Sequence, residues 1–403
     1  MLPIYMDHHA TTPVDPRVFE AMRPTLEGPL FGNAASRSHV YGHRAREAVE
    51  AARAEVAALL GARAGEIVFT SGATESDNLA LKGVLHHRRE AEGRDHLIVA
   101  RTEHKAVLDA ATRLETFGFR VTRLPVDGEG RMDPEALAEH LDEKTALVSA
   151  MLANNEVGAL NDLERIGALC RDVGAWLHCD AAQGLGYVPL DVTRTPVDLV
   201  SLTAHKLYGP KGVGALWVRR KDGPRVRLVA EMDGGGHEKG MRSGTLNVPG
   251  IVGFGAAAAI QKEEGPAEAE RLAALRARLW EGLAAIEEVH LNGPPLDAPR
   301  HPGNLNVSFG FVEGEGLLLR LAKTVAVSSG SACSSAGVEP SFVLRAMGVD
   351  PDLASASIRY GLGRGNTEAD VDAALEATRE AVGALREGSA LWRAHLRGET
   401  VRW

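Results

Sequence analysis

The feature that most constrains this chain is an alternation between residues 66 and 219. Short runs rich in β-branched residues at 66–70, 96–100, 119–124, 146–152, 175–179, 197–201 and 214–219 are separated by turn signals and helical stretches. The clearest helices are predicted at 76–88, 105–117 and 162–173. Strands that alternate with helices build βαβ units, and these assemble into a mostly parallel sheet with helices on both faces. Such sheets bind ligands just outside the carboxyl ends of their strands. The residues that follow each strand are therefore the ones to read for chemistry.

From about residue 261 the pattern changes. A charged, Ala/Leu/Arg-rich helix runs to about 286, strands are expected at 304–309 and 324–328, and amphipathic helices at 341–347 and 368–385. This reads as a second, smaller α+β domain. The division expected is a large domain over 15–260 and a small one built from 1–14 with 261–403. Gly reaches 44 of 403 residues, an excess that suits tight turns and ligand-cradling loops. The net charge of −9 argues against a general nucleic-acid binder. There are three cysteines and no CxxC, so zinc-ribbon and thioredoxin-like readings fail. The first residues, Met1-Leu2-Pro3-Ile4-Tyr5-Met6-Asp7, show no basic region followed by an apolar run. The weakly polar stretch at 250–260 is far short of the roughly 20 residues that span a bilayer. A soluble, cytoplasmic protein with no membrane segment and no metal site is expected.

After the strand at 66–70 comes Ser71-Gly72-Ala73-Thr74-Glu75-Ser76-Asp77-Asn78, opening a helix. Small residues there let backbone approach a ligand, and the helix end favours a phosphate. Glu103-His104-Lys105 follows the second strand, and Asn154-Asn155-Glu156 the strand at 146–152. Asp180-Ala181-Ala182-Gln183 and then Thr203-Ala204-His205-Lys206, with Gly209-Pro210-Lys211-Gly212 beyond, follow the next two. One sheet edge thus collects an acid, imidazoles, amides, hydroxyls and lysines. That inventory suits pyridoxal 5'-phosphate, which needs a lysine, a carboxylate for its pyridinium nitrogen, and donors for its phosphate. Lys206 is preferred as the lysine. Lys211 is the competing candidate, lying farther from the strand end and from Asp180.

At this point the chain resembles the cysteine desulfurases of the NifS/IscS type, within the class-V aminotransferases. The motifs carrying the resemblance extend over nearly the whole chain. They are Asp7-His8-His9-Ala10-Thr11-Thr12-Pro13, Phe31-Gly32-Asn33-Ala34-Ala35-Ser36, the Ser71–Asn78 turn, Thr102-Glu103-His104, Asn154-Asn155-Glu156-Val157-Gly158 and His205-Lys206. Arg242-Ser243-Gly244-Thr245, Ser328-Ser329-Gly330-Ser331-Ala332-Cys333, Ile358-Arg359-Tyr360 and Gly363-Arg364 complete them. The resemblance implies a fold-type-I pyridoxal-phosphate homodimer. It implies that Lys206 carries the cofactor, that His104 stacks on its ring, and that Asp180 pairs with the ring nitrogen. Gln183 and Asn155 would lie near the ring hydroxyl. Ala73, Thr74, Thr203 and His205 would surround the phosphate, joined by Thr245 of the other subunit. Arg359 would bind the substrate carboxylate, helped by Asn33 and Asn155. Some positions depart from the family pattern: Ala34 stands for Pro, Thr203-Ala204 for Ser-Gly, and His8-His9 for Tyr-Ser or Asn-Asn.

Cys170 and Cys179 read as buried packing residues. Cys333 lies in Ser328-Ser-Gly-Ser-Ala-Cys-Ser-Ser-Ala-Gly337, a run of small residues without an apolar anchor, expected to be an exposed, mobile loop. The resemblance makes Cys333 the sulfur acceptor, and its thiolate is the nucleophile this requires. The function expected is removal of sulfur from L-cysteine, giving L-alanine and a persulfide on Cys333. The sulfur would pass to scaffold or sulfur-carrier proteins for iron–sulfur cluster assembly or tRNA thiolation. The alternatives are a selenocysteine lyase, another transaminase- or aldolase-like enzyme of the same fold, and an inactive scaffold. The set of Lys206, Asp180, His104, Arg359 and Cys333 speaks against the last.

Overall fold

The computed structural model describes residues 2–221, 225–329 and 340–399. Its largest sheet has seven strands: β2 (Ile67–Thr70), β3 (His96–Ala100), β4 (Arg120–Leu124), β5 (Thr145–Ser149), β6 (Trp176–Asp180), β7 (Leu199–Thr203) and β8 (Gly214–Val218), in the order β2-β8-β7-β6-β5-β3-β4. Only β8 runs against its neighbours; the other pairings are parallel. β2, β3 and β5 to β8 are buried at every position, which is why they read as continuous apolar runs rather than alternating ones. β4 closes the sheet at an edge; its sequence RVTRL carries two arginines, and only Leu124 among its residues is fully buried.

Two predicted strands are shifted, and the shifts matter. β7 extends to Thr203 because it pairs with β8 through Thr203 and Gly214. β6 ends on Asp180, which pairs with Ser201. Both polar residues are therefore the last residues of strands, held by ladder hydrogen bonds rather than by loops. The run at 146–152 is a strand only over Thr145–Ser149, and the backbone of Ala150 and Leu152 continues alongside β6 through single bonds.

The remaining strands among the described residues form two smaller sheets. β9 (Val289–Asn292), β10 (Asn304–Phe309) and β12 (Ser357–Gly361) form an antiparallel sheet in the order β12-β10-β9. β1 (Ile4–Tyr5) pairs in parallel with β11 (Val325–Ala326). The predicted strand at 324–328 is thus much shorter, with Ser328 bridging Arg359 separately. β9 and β12 were not visible as strands in the sequence.

The helix expected from residue 261 starts earlier and spans Val248–Ala284. The Gly- and Ala-rich segment at 250–260 is its first part, and small residues there allow close approach: a Cβ on Gly255 would sit 2.5 Å from the Ala52 backbone. Its first half packs Ile251, Phe254 and Ala258 into the core around the seven-stranded sheet. Its second half packs Leu272, Leu275, Leu279 and Leu283 into a separate core with Met6, Leu305, Val307 and Tyr360. One helix therefore joins two hydrophobic cores, and the change in composition at 261 marks no break in the backbone. Among the described residues no helix is long and apolar enough to cross a membrane.

Candidate active site

A cavity of about 490 Å³ opens at the carboxyl ends of the parallel strands. Its walls include Ala73, Thr74, His104, Asn155, Asp180, Gln183, Thr203, His205, Lys206 and Arg359. At one end lies the start of the helix Ala73–Glu92. Gly72 occupies its N-cap and offers no side chain to the first turn, so the leading N–H groups keep their capacity for a ligand. Gly214 lets this turn approach β8, since a Cβ there would lie 2.6 Å from Gly72 Cα. Glu75 also lines the cavity, its carboxylate accepting from Arg242 Nε at 2.7 Å and from Ser71 N at 2.7 Å.

Lys206 ends a single 3₁₀ turn, Ala204–Lys206, directly after β7. The turn is strapped by the N-terminal segment. Thr12 donates N–H and hydroxyl bonds to the His205 carbonyl at 3.0 and 2.8 Å, and its hydroxyl accepts from Tyr208 N at 2.9 Å. Tyr208 takes the left-handed conformation, with φ of 60°, and Gly209 follows where a Cβ would meet Ala204 O at 2.8 Å. This holds the loop in one course, so Lys206 faces the same cavity as Asp180. Lys211, the competitor, also lines it.

Asp180 is buried at 5% exposure and accepts from Ala182 N at 2.9 Å. His104 caps the helix Lys105–Thr116 by accepting from Ala106 N at its Nδ1, 3.1 Å away. A ring that accepts there carries its proton on Nε2 when neutral. Burial, with the nearby Lys206 charge, lowers the His104 pKa, although Asp180 works in the other direction. Burial and the charges of Lys206 and Lys211 bring His205 down to about 4, so it is a neutral imidazole, its Nδ1 3.1 Å from the Thr11 hydroxyl.

Behind Asp180 sits a buried polar layer that the sequence did not reveal. Glu103 is fully buried and accepts from Met151 N at 2.7 Å. Burial and the Asp180 charge push its carboxyl up to about 8. Asp77 is also fully buried and raised for the same reasons, with His178 Nε2 3.5 Å from its Oδ1. His178 bridges the hydroxyls of Ser149 and Ser201 at 2.9 Å each. Two carboxyls whose neutral forms are favoured by burial thus lie behind Asp180, which itself lines the cavity.

Arg359 comes from β12 and reaches across to the same cavity. It donates to Asp7 at 2.7 Å and to the Asn155 carbonyl at 3.1 Å, while its Nε has no partner among the described residues. Asn33 and Thr245 are exposed and outside the cavity wall. Asn33 instead turns its side chain to Ala35 N at 2.9 Å. Cys333 lies outside the described residues. Cys170 and Cys179 are buried, and burial pushes both thiols up, which disfavours the reactive thiolate. His9, Ala10 and Thr11 line the cavity as well; their place in the N-terminal motif was the only sequence signal for them.

These residues fit pyridoxal phosphate. An uncapped helix end supplies phosphate donors, Lys206 an amine, and Asp180 a carboxylate. The buried Gln183 Oε1 and Arg359 Nε are polar atoms that no described residue satisfies.

Comparison with known proteins agrees with this geometry. The class-V aminotransferase family model matches residues 4–374. The chain is 60% identical over 392 residues to cysteine desulfurase IscS of Anaeromyxobacter sp. strain Fw109-5, covering 97% of this chain and 95% of that one. It is 53% identical over 407 residues to cysteine desulfurase IscS of Shewanella loihica, covering 100% and 99%. A solved structure described as a NifS-like protein superposes with a TM-score of 0.87 at 37% identity, over 95% of this chain and 100% of that one. The motifs, the cavity at the strand ends and these likenesses converge: the chain belongs to the class-V aminotransferases, as a pyridoxal-phosphate-dependent enzyme of their cysteine desulfurase branch.

Proposed function

We propose that this enzyme takes sulfur from L-cysteine, releases L-alanine, and hands the sulfur through Cys333 to acceptor proteins of iron–sulfur cluster assembly or tRNA thiolation. It would work as a homodimer in the cytoplasm. The observation that carries the reading is the meeting of Lys206, Asp180 and His104 in one cavity beside an uncapped helix end.

Pyridoxal phosphate, when bound, supplies an electron sink for the substrate Cα and Cβ. The chain's own residues hold and aim the reactants. Lys206 Nζ would bind the cofactor covalently and, once displaced by substrate, move the Cα proton. Asp180 would hold the proton on the ring nitrogen, while His104 covers the ring face and Gln183 and Asn155 meet the ring hydroxyl. Ala73, Thr74, Thr203 and His205 would surround the phosphate, and Thr245 of the second subunit would complete that end, consistent with its exposed position. Arg359 would take the substrate carboxylate in a planar two-bond contact, which its fork geometry permits and a lysine's does not. The N-terminal segment and residues beyond 261 would form the smaller domain that brings Arg359 and Cys333 to the large one.

The test is to incubate the purified protein with L-cysteine and a reductant and to measure alanine and sulfide together. Equal yields are expected. Alanine without sulfide, or neither product from protein carrying its visible absorption band, refutes the proposal.

A further inference from the structure

His9 is one of the positions at which the N-terminal motif departs from the family pattern, and it lies against the cavity wall at 2% exposure. Its Nε2 is 3.2 Å from the carbonyl of Gly303. Its Nδ1 is in hydrogen-bond contact with Gln183 Nε2. A carbonyl can only accept, so His9 Nε2 carries the proton. In the neutral ring Nδ1 then presents a lone pair. A lone pair at Nδ1 attracts the amino group of Gln183 and repels its carbonyl, so the amide is held in one of its two orientations.

Gly303 sets this arrangement from both of its backbone groups. Its carbonyl accepts from His9, and its N–H donates to His301 Nδ1 at 3.1 Å. The two imidazoles meet edge to face with centroids 4.6 Å apart. A Cβ at position 303 would fall 2.6 Å from Leu362 O, so the backbone is packed closely there. Burial, with His301, Arg359 and Lys206 nearby, holds the His9 pKa well below its ordinary value. The imidazole therefore stays neutral and the direction of its bonds does not reverse. On the far side, Gln183 Oε1 is buried without a partner among the described residues.

We infer that His9 is a positioning residue: through the Gly303 carbonyl it locks the Gln183 amide, leaving the carbonyl oxygen and the second N–H of that amide to meet the ring hydroxyl of the cofactor. This rests on the proposed placement of Gln183 at the cofactor ring. It ties the segment before β10 to the electronic state of the cofactor site.

The test uses holoenzyme and reads the pH midpoint of the visible absorption change, in wild type, His9→Phe, His9→Asn, Gln183→Leu and the His9→Phe/Gln183→Leu double variant. His9→Phe removes the acceptor and should shift the midpoint by roughly half a unit or more, the size of one lost hydrogen bond. His9→Asn keeps an acceptor near the Nδ1 position and should leave the midpoint near wild type. In the Gln183→Leu background His9→Phe should add no further shift, since both act on one contact. If the Phe variant does not fold, His9→Ala takes its place under the same criteria. An equal shift from the His9 change in both backgrounds, or no shift where Gln183→Leu alone gives one, overturns the inference. A midpoint unmoved by Gln183→Leu instead overturns the placement of Gln183, and the inference falls with it.

Discussion

Glu103→Gln separates the cost of a buried acid from the worth of its hydrogen bond. Glu103 is fully buried, and its carboxyl is pushed up to about 8 by burial and Asp180. Its ordinary value is 4.5. A folded-state pKa above the unfolded one means that the folded state binds the proton more tightly. The stability this brings is fully present below about 4.5 and is lost as pH rises through about 8. At about 1.4 kcal/mol per pKa unit, the side chain removes about 3 kcal/mol between pH 5.5 and pH 8. The glutamine side chain of the variant would keep the oxygen that accepts from Met151 N, and it has no charge to desolvate. Its new amino group replaces an oxygen, Oε2, that has no described partner, which costs about 1–3 kcal/mol. That cost does not change with pH. The diagnostic is therefore the pH slope and not the stability at one pH. Thermal midpoints of wild type and variant, both without cofactor, should be compared at pH 5.5 and 8. At ~1–2 °C per kcal/mol for a chain of this size, the variant should lose several degrees less than wild type on going to the higher pH. Parallel pH profiles for the two proteins would show that Glu103 is not held protonated, and would remove the neutral layer behind Asp180.

Three further outcomes test the site. Lys206→Ala should abolish fixation of the cofactor to the chain by borohydride, and fixation at Lys211 in the wild type would refute the assignment. Arg359→Lys should keep cofactor absorbance and raise KM for cysteine roughly 10-fold or more, the worth of a charge-assisted two-bond contact; unchanged kinetics would remove Arg359 from substrate binding. Cys333→Ala should retain the cofactor band, change it on adding cysteine and make almost no alanine. Trapping of wild type with an alkylator should find extra sulfur on the Cys333 peptide alone, and extra sulfur on Cys179 would overturn the mechanism.

The seven-stranded sheet was legible in the sequence because every strand but the edge strand β4 is buried at each position, so those six read as short apolar runs between turn signals. The strand-end residues, including His104, Asp180 and Lys206, followed from that, since a parallel sheet collects its carboxyl ends at one edge. The elements least visible were β9 and β12, which have mixed composition and become strands only by pairing with β10. The first part of the helix Val248–Ala284 does not show in the sequence pattern because Gly and Ala suppress its apolar signal, while tertiary contact with the helix at 40–59 rewards small side chains. Sequence alone determined the order of chemical groups along the chain and the edge at which most of them meet. Tertiary structure decided which distant segments join them. Asp7 and His9 arrive from the N-terminus and Arg359 from β12, contacts separated by hundreds of residues that no local pattern encodes. It also decided protonation, because desolvation of Glu103, Asp77 and His205 depends on what packs around each side chain and not on its neighbours in sequence.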